Sequence, residues 1–260
     1  MMFHPHCCPA LSPLRRIPHP LPHPPVKTSA LAVCALIALT TSVFAQSLSW
    51  DTTGSNDSGD FGNALVFNDS GRELAVTSWG HTRGDFDDAF EAARGSLYSI
   101  GMGVSNAEEG TGTNDHQMDN SGGDDWMLFY FDGPVEDVKI VVDPYGTWDR
   151  DVTYYTARLD GPVDLTGLSY SDLASLGFDS RRDSLGSVGS AARQVSIQNV
   201  SGGFNAILFG AWQGEPTADS IDRFKISSVS ASPIDPVTVP EPSSALLGVI
   251  GGLALLKRRR

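Results

Sequence analysis

The sequence predicts an all-β protein, a jelly-roll-like antiparallel β-sandwich with one or two short helices. Residues 46–238 support this in three ways: apolar and polar residues alternate with period two, β-branched and aromatic residues fill the alternating runs, and turn-forming residues separate them. The length of this segment suits one domain. An immunoglobulin-like sandwich is the second possibility, weakened because the segment lacks the cysteine pair of that fold.

Nine runs are predicted to be strands, and turn chemistry such as Asp132-Gly133-Pro134 and Ser201-Gly202-Gly203 divides them. The predicted strands are residues 64–70, 72–80, 96–106, 126–132, 135–143, 151–159, 193–200, 204–212 and 221–231. Two segments predict short helices. Residues 87–94 begin with acidic side chains, and residues 169–178 offer Ser169 or Ser171 as the N-cap and Gly177 after the last turn.

The alternation also predicts which side chains form the core of the sandwich. These are the apolar positions that recur on one face of a strand. The predicted core residues are Leu74, Val76, Trp79, Leu97, Ile100, Leu128, Phe129, Phe131, Ile140, Val142, Ile207, Phe209, Phe224 and Ile226.

The first 45 residues have the composition of a secretory signal peptide. A proline- and histidine-rich stretch precedes Lys27, an apolar run over 30–39 and small residues at Val43 and Ala45. Cleavage is expected between Ala45 and Gln46, and translation is expected to start near Val26. A retained membrane helix is the alternative, but about ten strongly apolar residues are too few to span a bilayer.

Removing this leader changes the chemistry that the exported segment can carry. Cys7, Cys8 and Cys34 all lie in the leader, so disulfides and cysteine sites are excluded from residues 46–238. These residues keep 11 Lys+Arg and 30 Asp+Glu, a net charge of −19. Because an acidic surface repels phosphate backbones, nucleic acid is not an expected partner, whereas cations are.

The C-terminal segment 239–260 has three parts in a fixed order. Val239, Pro240, Glu241 and Pro242 come first, then an apolar run over Ser243–Leu256, then the basic residues Lys257, Arg258, Arg259 and Arg260. As a helix the run would span about 21 Å, less than the ~30 Å hydrocarbon core. A buried core helix is the alternative, but the four terminal cations could not be buried with it. The order indicates a membrane anchor held at its cytoplasmic end by positive charge.

This three-part tail resembles the PEP-CTERM sorting signal of bacterial exported proteins. The resemblance covers about the last 22 residues and implies recognition by a membrane-embedded exosortase that cuts near Pro-Glu-Pro. It implies transport by the secretion translocase, processing by signal peptidase, transient membrane anchoring through the C-terminal helix, and release to the cell surface or extracellular matrix. Because such tails occur on unrelated domains, the resemblance indicates how the protein is exported and does not indicate the activity of its domain.

The middle of the chain resembles uncharacterised jelly-roll-like domains found upstream of such tails. The residues concerned are 101–106, "GMGVSN", and 118–125, "MDNSGGDD", which lead into an aromatic strand. The resemblance implies the fold and brings no activity.

The loop 106–125 is the most polar segment and is the candidate calcium site. Ca²⁺ prefers six to eight oxygen ligands, and a loop rich in Gly, Asn and Asp can supply them. The predicted ligands are Asp119, Asp124, Asp125 and, from the last strand, Asp222. A solvated acidic loop is the alternative, since the spacing matches no EF-hand or calcium-binding repeat.

Catalytic motifs are absent from the sequence, which contains no GxSxG, HExxH or cysteine–histidine arrangement. His81 and His116 are isolated and are expected to face solvent. Tyr145 and Trp148, within "DPYGTWDRD", are candidates for stacking on sugar rings, with packing in the sandwich as the alternative. Trp126 and Trp212 are expected to pack in the domain.

The sequence therefore predicts a non-enzymatic protein of the cell surface or matrix, with a structural, adhesive or polysaccharide-binding role. The alternative is a secreted carbohydrate-active enzyme on the same scaffold, which would use two carboxylates that meet only in the folded chain.

Overall fold

The computed structural model describes residues 46–55, 57–82, 88–109, 116–213 and 221–234. The leader over 1–45 and the tail over 239–260, with their motifs, lie outside the described residues. Within the described ranges the protein is all-β and mostly antiparallel, with 14 strands and one 3₁₀ helix. The strands are β1 Leu48–Asp51, β2 Asp57–Ser58, β3 Ala64–Asp69, β4 Arg72–Thr82, β5 Phe90–Ala92, β6 Arg94–Tyr98, β7 Gly101–Ser105, β8 Met118–Asp119, β9 Gly123–Asp143, β10 Val152–Ala157, β11 Arg182–Ser184, β12 Arg193–Ser196, β13 Phe204–Ala211 and β14 Arg223–Pro233.

Strand β9 connects two groups of strands. Its first half pairs with β4 and β13, and β13 pairs in turn with β10 and then β11. Its second half pairs with β12 and β14, and β14 leads to β1, β7 and β8. The prediction of two strands separated by a turn at Asp132-Gly133-Pro134 is wrong. The chain does not reverse there because Val135 is already paired, with Phe204 on one side and Pro233 on the other.

The first half of β9 is buried on both faces because apolar clusters cover each side. Met127, Phe129 and Phe131 belong to the larger cluster, which β1, β7, β12 and β14 also fill. Trp126 and Leu128 belong to a second cluster, which residues 159–178 cover. Alternation along a strand sends odd and even residues to opposite faces.

The predicted core is confirmed except for Leu97 and Ile100, which are only half-buried.

The prediction of one strand over 96–106 is wrong, because the chain reverses at residues 99–100. Strands β6 and β7 form an antiparallel hairpin that closes with Tyr98 opposite Gly101. Gly101 has φ +136°, and a Cβ there would lie 2.3 Å from the Ile226 carbonyl oxygen. The glycine is therefore required by the turn and by the close approach of β14.

The two helix predictions have different outcomes. A helix over 87–94 is wrong: Phe90–Ala92 forms β5 against β4, and Phe90 exchanges backbone hydrogen bonds with Gly167 and Leu168. Burial of Phe90 in the second cluster overrides the local helix propensity. The helix within 169–178 is confirmed as a 3₁₀ helix over Tyr170–Leu176.

Its ends follow the predicted chemistry. The Ser169 backbone N–H donates to the Asp172 carboxylate at 2.9 Å, which satisfies a group at the helix start. Gly177 adopts the left-handed conformation just after the last turn.

Candidate functional site

A first acidic cluster consists of Glu109, Asp119 and Asp125. One carboxylate oxygen of each lies within 4.8 Å of the other two. Asp125 is fully buried and accepts hydrogen bonds from Asn106 Nδ2 and from the Asp119 backbone N–H, both at 3.1 Å. Burial, followed by the negative charges of Glu109 and Asp119, raises the pKa of Asp125 well above its usual range. Uptake of a proton or a cation therefore stabilises this cluster.

The surrounding polar groups offset part of the charge of this first cluster. Arg223 Nε lies 3.1 Å from Asp119 Oδ2, and the Ser121 backbone N–H donates to Asp119 Oδ1 at 2.7 Å. The Asn106 backbone N–H donates to Glu109 Oε2 at 2.9 Å. The carboxylates are thus held in place by the loop, and their oxygens are of the type that Ca²⁺ prefers.

A second acidic cluster consists of Asp149, Asp151 and Asp222, again with carboxylate oxygens within 4.8 Å of one another. Asp222 accepts hydrogen bonds from the Asp151 backbone N–H at 2.7 Å and from Asn120 Nδ2 at 2.9 Å. Burial, with the charges of Asp151 and Asp149, raises the pKa of Asp222 to about 8. The Asp222 carboxyl is therefore protonated in much of the population near neutral pH.

The two clusters are separated by the pairing of β8 with β14. Asp119 lies opposite Arg223 in this pair, while Asn120 and Asp222, the next residues, bond to each other. Since consecutive residues of a strand face opposite sides, Asp119 joins the first cluster and Asp222 the second.

Asp124 belongs to neither cluster. It is buried and accepts a hydrogen bond from the Tyr170 hydroxyl at 2.7 Å, and that hydroxyl accepts one from Trp126 Nε1 at 3.0 Å. The imidazole of His81 stacks on the Tyr170 ring at 3.8 Å. Asp124 lies on the face of β9 opposite to Asp125, among the aromatic residues of the second apolar cluster.

The four predicted calcium ligands are thus distributed over three places. Asp119 and Asp125 share the first cluster, Asp222 lies in the second, and Asp124 bonds to Tyr170. Sequence reasoning missed Glu109, Asp149 and Asp151 as partners. The spacing of Asp149 and Asp151 could have indicated a shared face, since residues two apart in an extended chain lie on the same side.

Tyr145 and Trp148 form an aromatic ledge beside the second cluster. Tyr145 is 60% exposed, whereas Trp148 is half-buried. Trp148 Nε1 donates to the Tyr145 carbonyl at 3.1 Å, and the guanidinium of Arg223 lies 4.7 Å from the Trp148 ring centre. The Trp148 ring is thus fixed by packing, while Tyr145 presents its ring to solvent.

Two arginines hold the neighbouring loop 185–191 against this ledge. Arg150 donates to the carbonyls of Ser187 and Ala191, and Arg193 donates to the carbonyls of Arg150 and Leu185. The backbone of Gly189 exchanges two hydrogen bonds with that of Trp148.

The two histidines differ from each other in exposure. The prediction that His81 faces solvent is wrong, because its ring is buried between Tyr170 and Phe90. His116 is half-buried and stacks on the Tyr98 ring. Trp126 is fully buried, as predicted, and Trp212 is half-buried beneath Arg181.

Comparison of the chain with protein-family models, curated proteins and solved structures gives no match.

Within the described ranges, no helical segment has the length and apolar character needed to cross a bilayer.

Proposed function

We propose that this chain is an exported protein of the cell surface or extracellular matrix, delivered by an exosortase. The observation that carries the proposal is the three-part tail: Val239–Pro242, the apolar run over 243–256 and the basic residues at 257–260. The leader over 1–45, with its apolar run and small residues before Gln46, supplies the matching export signal. Both segments are needed, because a sorting tail acts only on a chain that has entered the membrane.

We propose a jelly-roll-like sandwich with a non-enzymatic, polysaccharide-binding or adhesive role for residues 46–238. The mostly antiparallel all-β fold and the apolar cluster between its groups of strands support the sandwich. The ring of Tyr145 is exposed, and the Tyr145 carbonyl accepts a hydrogen bond from Trp148, next to the partly exposed Asp149; this arrangement supports the sugar-binding role. Aromatic faces stack on sugar rings, and carboxylates accept hydrogen bonds from their hydroxyls.

The sorting proposal is tested by mass spectrometry of the cell-surface fraction. The expected C-terminus lies near Pro242, without Arg258–Arg260. A variant with Pro240, Glu241 and Pro242 replaced by Ala is expected to keep the basic residues and stay in the membrane. Replacement of Ser243 and Ser244 by Ala serves as the control, since it leaves the motif intact. Retention of the arginines in the wild-type surface fraction would contradict the sorting role.

The sugar-binding proposal is tested on a glycan array. Tyr145→Ala is expected to reduce binding, because it removes the most exposed aromatic ring of the ledge. Phe61→Ala is the matched control, since Phe61 is also exposed, at 47%, but lies outside the ledge. Equal loss in both variants, or no loss in Tyr145→Ala, would argue against the ledge as a sugar site.

One observation favours a secreted carbohydrate-active enzyme as the second candidate. Asp222 has a pKa of about 8 beside Asp149 and Asp151, and a protonated acid next to a carboxylate is the arrangement that glycosidases use. Asp222 is only 1% exposed, however, and both of its oxygens accept internal hydrogen bonds. A structural role therefore fits it better. Turnover of a matrix polysaccharide that Asp222→Asn abolishes would favour the enzyme instead.

A further inference from the structure

A groove of about 320 Å³ lies where β1, β9, β12 and β14 meet, away from both acidic clusters. Its polar lining consists of Ser47, Asp137, Lys139, Ser196, Ser230 and Ser232. The volume falls within the ~300–1,000 Å³ range of small-molecule sites. The groove therefore has room for one or two rings of a saccharide.

A bulge in β9 forms one wall of this groove. The pairing of β9 with β14 shifts register between Ser230 and Ser232, and Asp137 lies at the shift with φ +52°. Asp137 is fixed there by Asn199: its backbone N–H donates to Asn199 Oδ1 at 2.7 Å, and Asn199 Nδ2 donates to Asp137 Oδ1 at 2.8 Å. Bulges re-aim side chains and often accompany binding sites. The concavity is thus held by two reciprocal bonds.

Lys139 stands in the middle of a row of hydroxyl groups. It is paired with Ser196 on β12 and with Ser230 on β14, so these side chains project from the same face of the sheet. Across the described ranges, no hydrogen bond or ion pair engages the Lys139 ammonium or the hydroxyls of Ser47, Ser196, Ser230 and Ser232. These donors and acceptors are available to a ligand.

We propose that this groove binds a saccharide that carries a carboxylate, such as a uronic-acid unit of a polysaccharide. Serine hydroxyls donate and accept hydrogen bonds, as sugar hydroxyls do, and the single ammonium pairs with one carboxylate. A phosphate group is a poorer fit, because one lysine beside Asp137 in a segment of net charge −19 cannot balance two negative charges.

The inference rests on the proposed polysaccharide-binding role and adds the ligand class and a second contact point. Lys139 and Tyr145 are six residues apart and β9 ends at Asp143 between them, so they are separated by at most on the order of 20 Å. A polysaccharide could therefore contact the groove and the ledge at the same time, but each site can be tested alone.

The test measures binding of a short oligogalacturonate, and of a neutral cello-oligosaccharide of equal length, to the full chain in detergent by calorimetry. The wild type is expected to bind the oligogalacturonate and to bind the neutral sugar at least tenfold more weakly. Lys139→Gln should weaken oligogalacturonate binding about tenfold, and Lys139→Arg should restore most of it. Ser230→Phe, which fills the groove, should abolish binding while the melting temperature confirms folding.

Two controls separate this inference from the proposed function. Arg158→Gln removes one exposed positive charge outside the groove, so an equal loss in this variant would attribute the effect to net charge and overturn the groove site. Tyr145→Ala tests the ledge alone. If that variant loses glycan-array binding while Lys139→Gln and Ser230→Phe bind like the wild type, the groove proposal fails and the polysaccharide role stands. Absence of oligogalacturonate binding by the wild type also overturns the groove proposal.

Discussion

The buried ammonium of Lys225 is expected to destabilise the folded protein at neutral pH. Replacement of Lys225 by Met is expected to remove this pH-dependent destabilisation. Lys225 is 4% exposed, its Nζ donates to the His116 carbonyl at 2.7 Å, and the ammonium lies 4.3 Å from the centre of the Tyr98 ring. These contacts do not replace the lost hydration, so burial lowers the pKa of Lys225 from 10.5 to about 8.

The size of the effect follows from this shift. Each pKa unit corresponds to about 1.4 kcal/mol, so a shift from 10.5 to about 8 corresponds to about 3 kcal/mol. Below the folded pKa, lysine is protonated in both states and the folded protein bears the full penalty. As the pH rises from about 8 to 10.5, the folded state loses its proton before the unfolded state does. The contribution of Lys225 to stability therefore improves over that interval.

Urea unfolding at a series of pH values provides the assay. The free energy of unfolding of Lys225→Met minus that of the wild type should fall by about 3 kcal/mol between pH 7 and pH 11. Taking the difference removes the titration of all groups common to both proteins. Lys139→Met is the control for the loss of a lysine charge, because Lys139 is exposed. If the difference between Lys225→Met and the wild type stayed constant over the pH series, the penalty assigned to the buried ammonium would be refuted.

Four further outcomes are expected. Because the pKa of Asp125 is raised, the wild type should lose stability as the pH rises through that pKa. Asp125→Asn should show a smaller loss, measured by urea unfolding from pH 4 upward. Millimolar Ca²⁺ should raise the melting temperature of the wild type and not of Asp125→Asn, and an unchanged wild-type value would contradict the calcium prediction. Phe129→Ala, in the larger apolar cluster, should lower the free energy of unfolding by about 3–5 kcal/mol in urea. Gly101→Ala should lower the melting temperature more than Gly71→Ala, because only at Gly101 would the new Cβ meet backbone atoms.

Alternation predicts the strands well because it reflects burial along a single segment. Strands β3, β4, β10 and β13 lie where the period-two pattern predicts them. It fails where pairing with distant strands decides the outcome. The Asp132-Gly133-Pro134 sequence resembles a hairpin turn, yet β9 continues through it because β13 and β14 pair with the chain on both sides.

The candidate site is predictable in residue type but not in grouping. Three carboxylates of the Asp- and Asn-rich loop 106–125, those of Glu109, Asp119 and Asp125, form the first cluster. Alternation then sends Asp124 and Asp125 to opposite faces of β9, which the composition of the loop does not reveal. Asp222 groups with Asp149 and Asp151, which come from another segment, so only the folded chain identifies the members of that cluster.

The row of serines in the groove could not be recognised as a site from the sequence either. Ser228, Ser230 and Ser232 alternate along β14 in the way that any solvent-facing strand would, and nothing in their spacing indicates a ligand. The concavity depends on Asp137 in a left-handed conformation and on its bonds to Asn199, 62 residues further along the chain. Because both the bulge and the row around Lys139 require the β9–β14 register, a variant at Asn199 should alter the groove through Asp137, although Asn199 is not one of its lining residues. The site is therefore a property of strand pairing and not of a local motif.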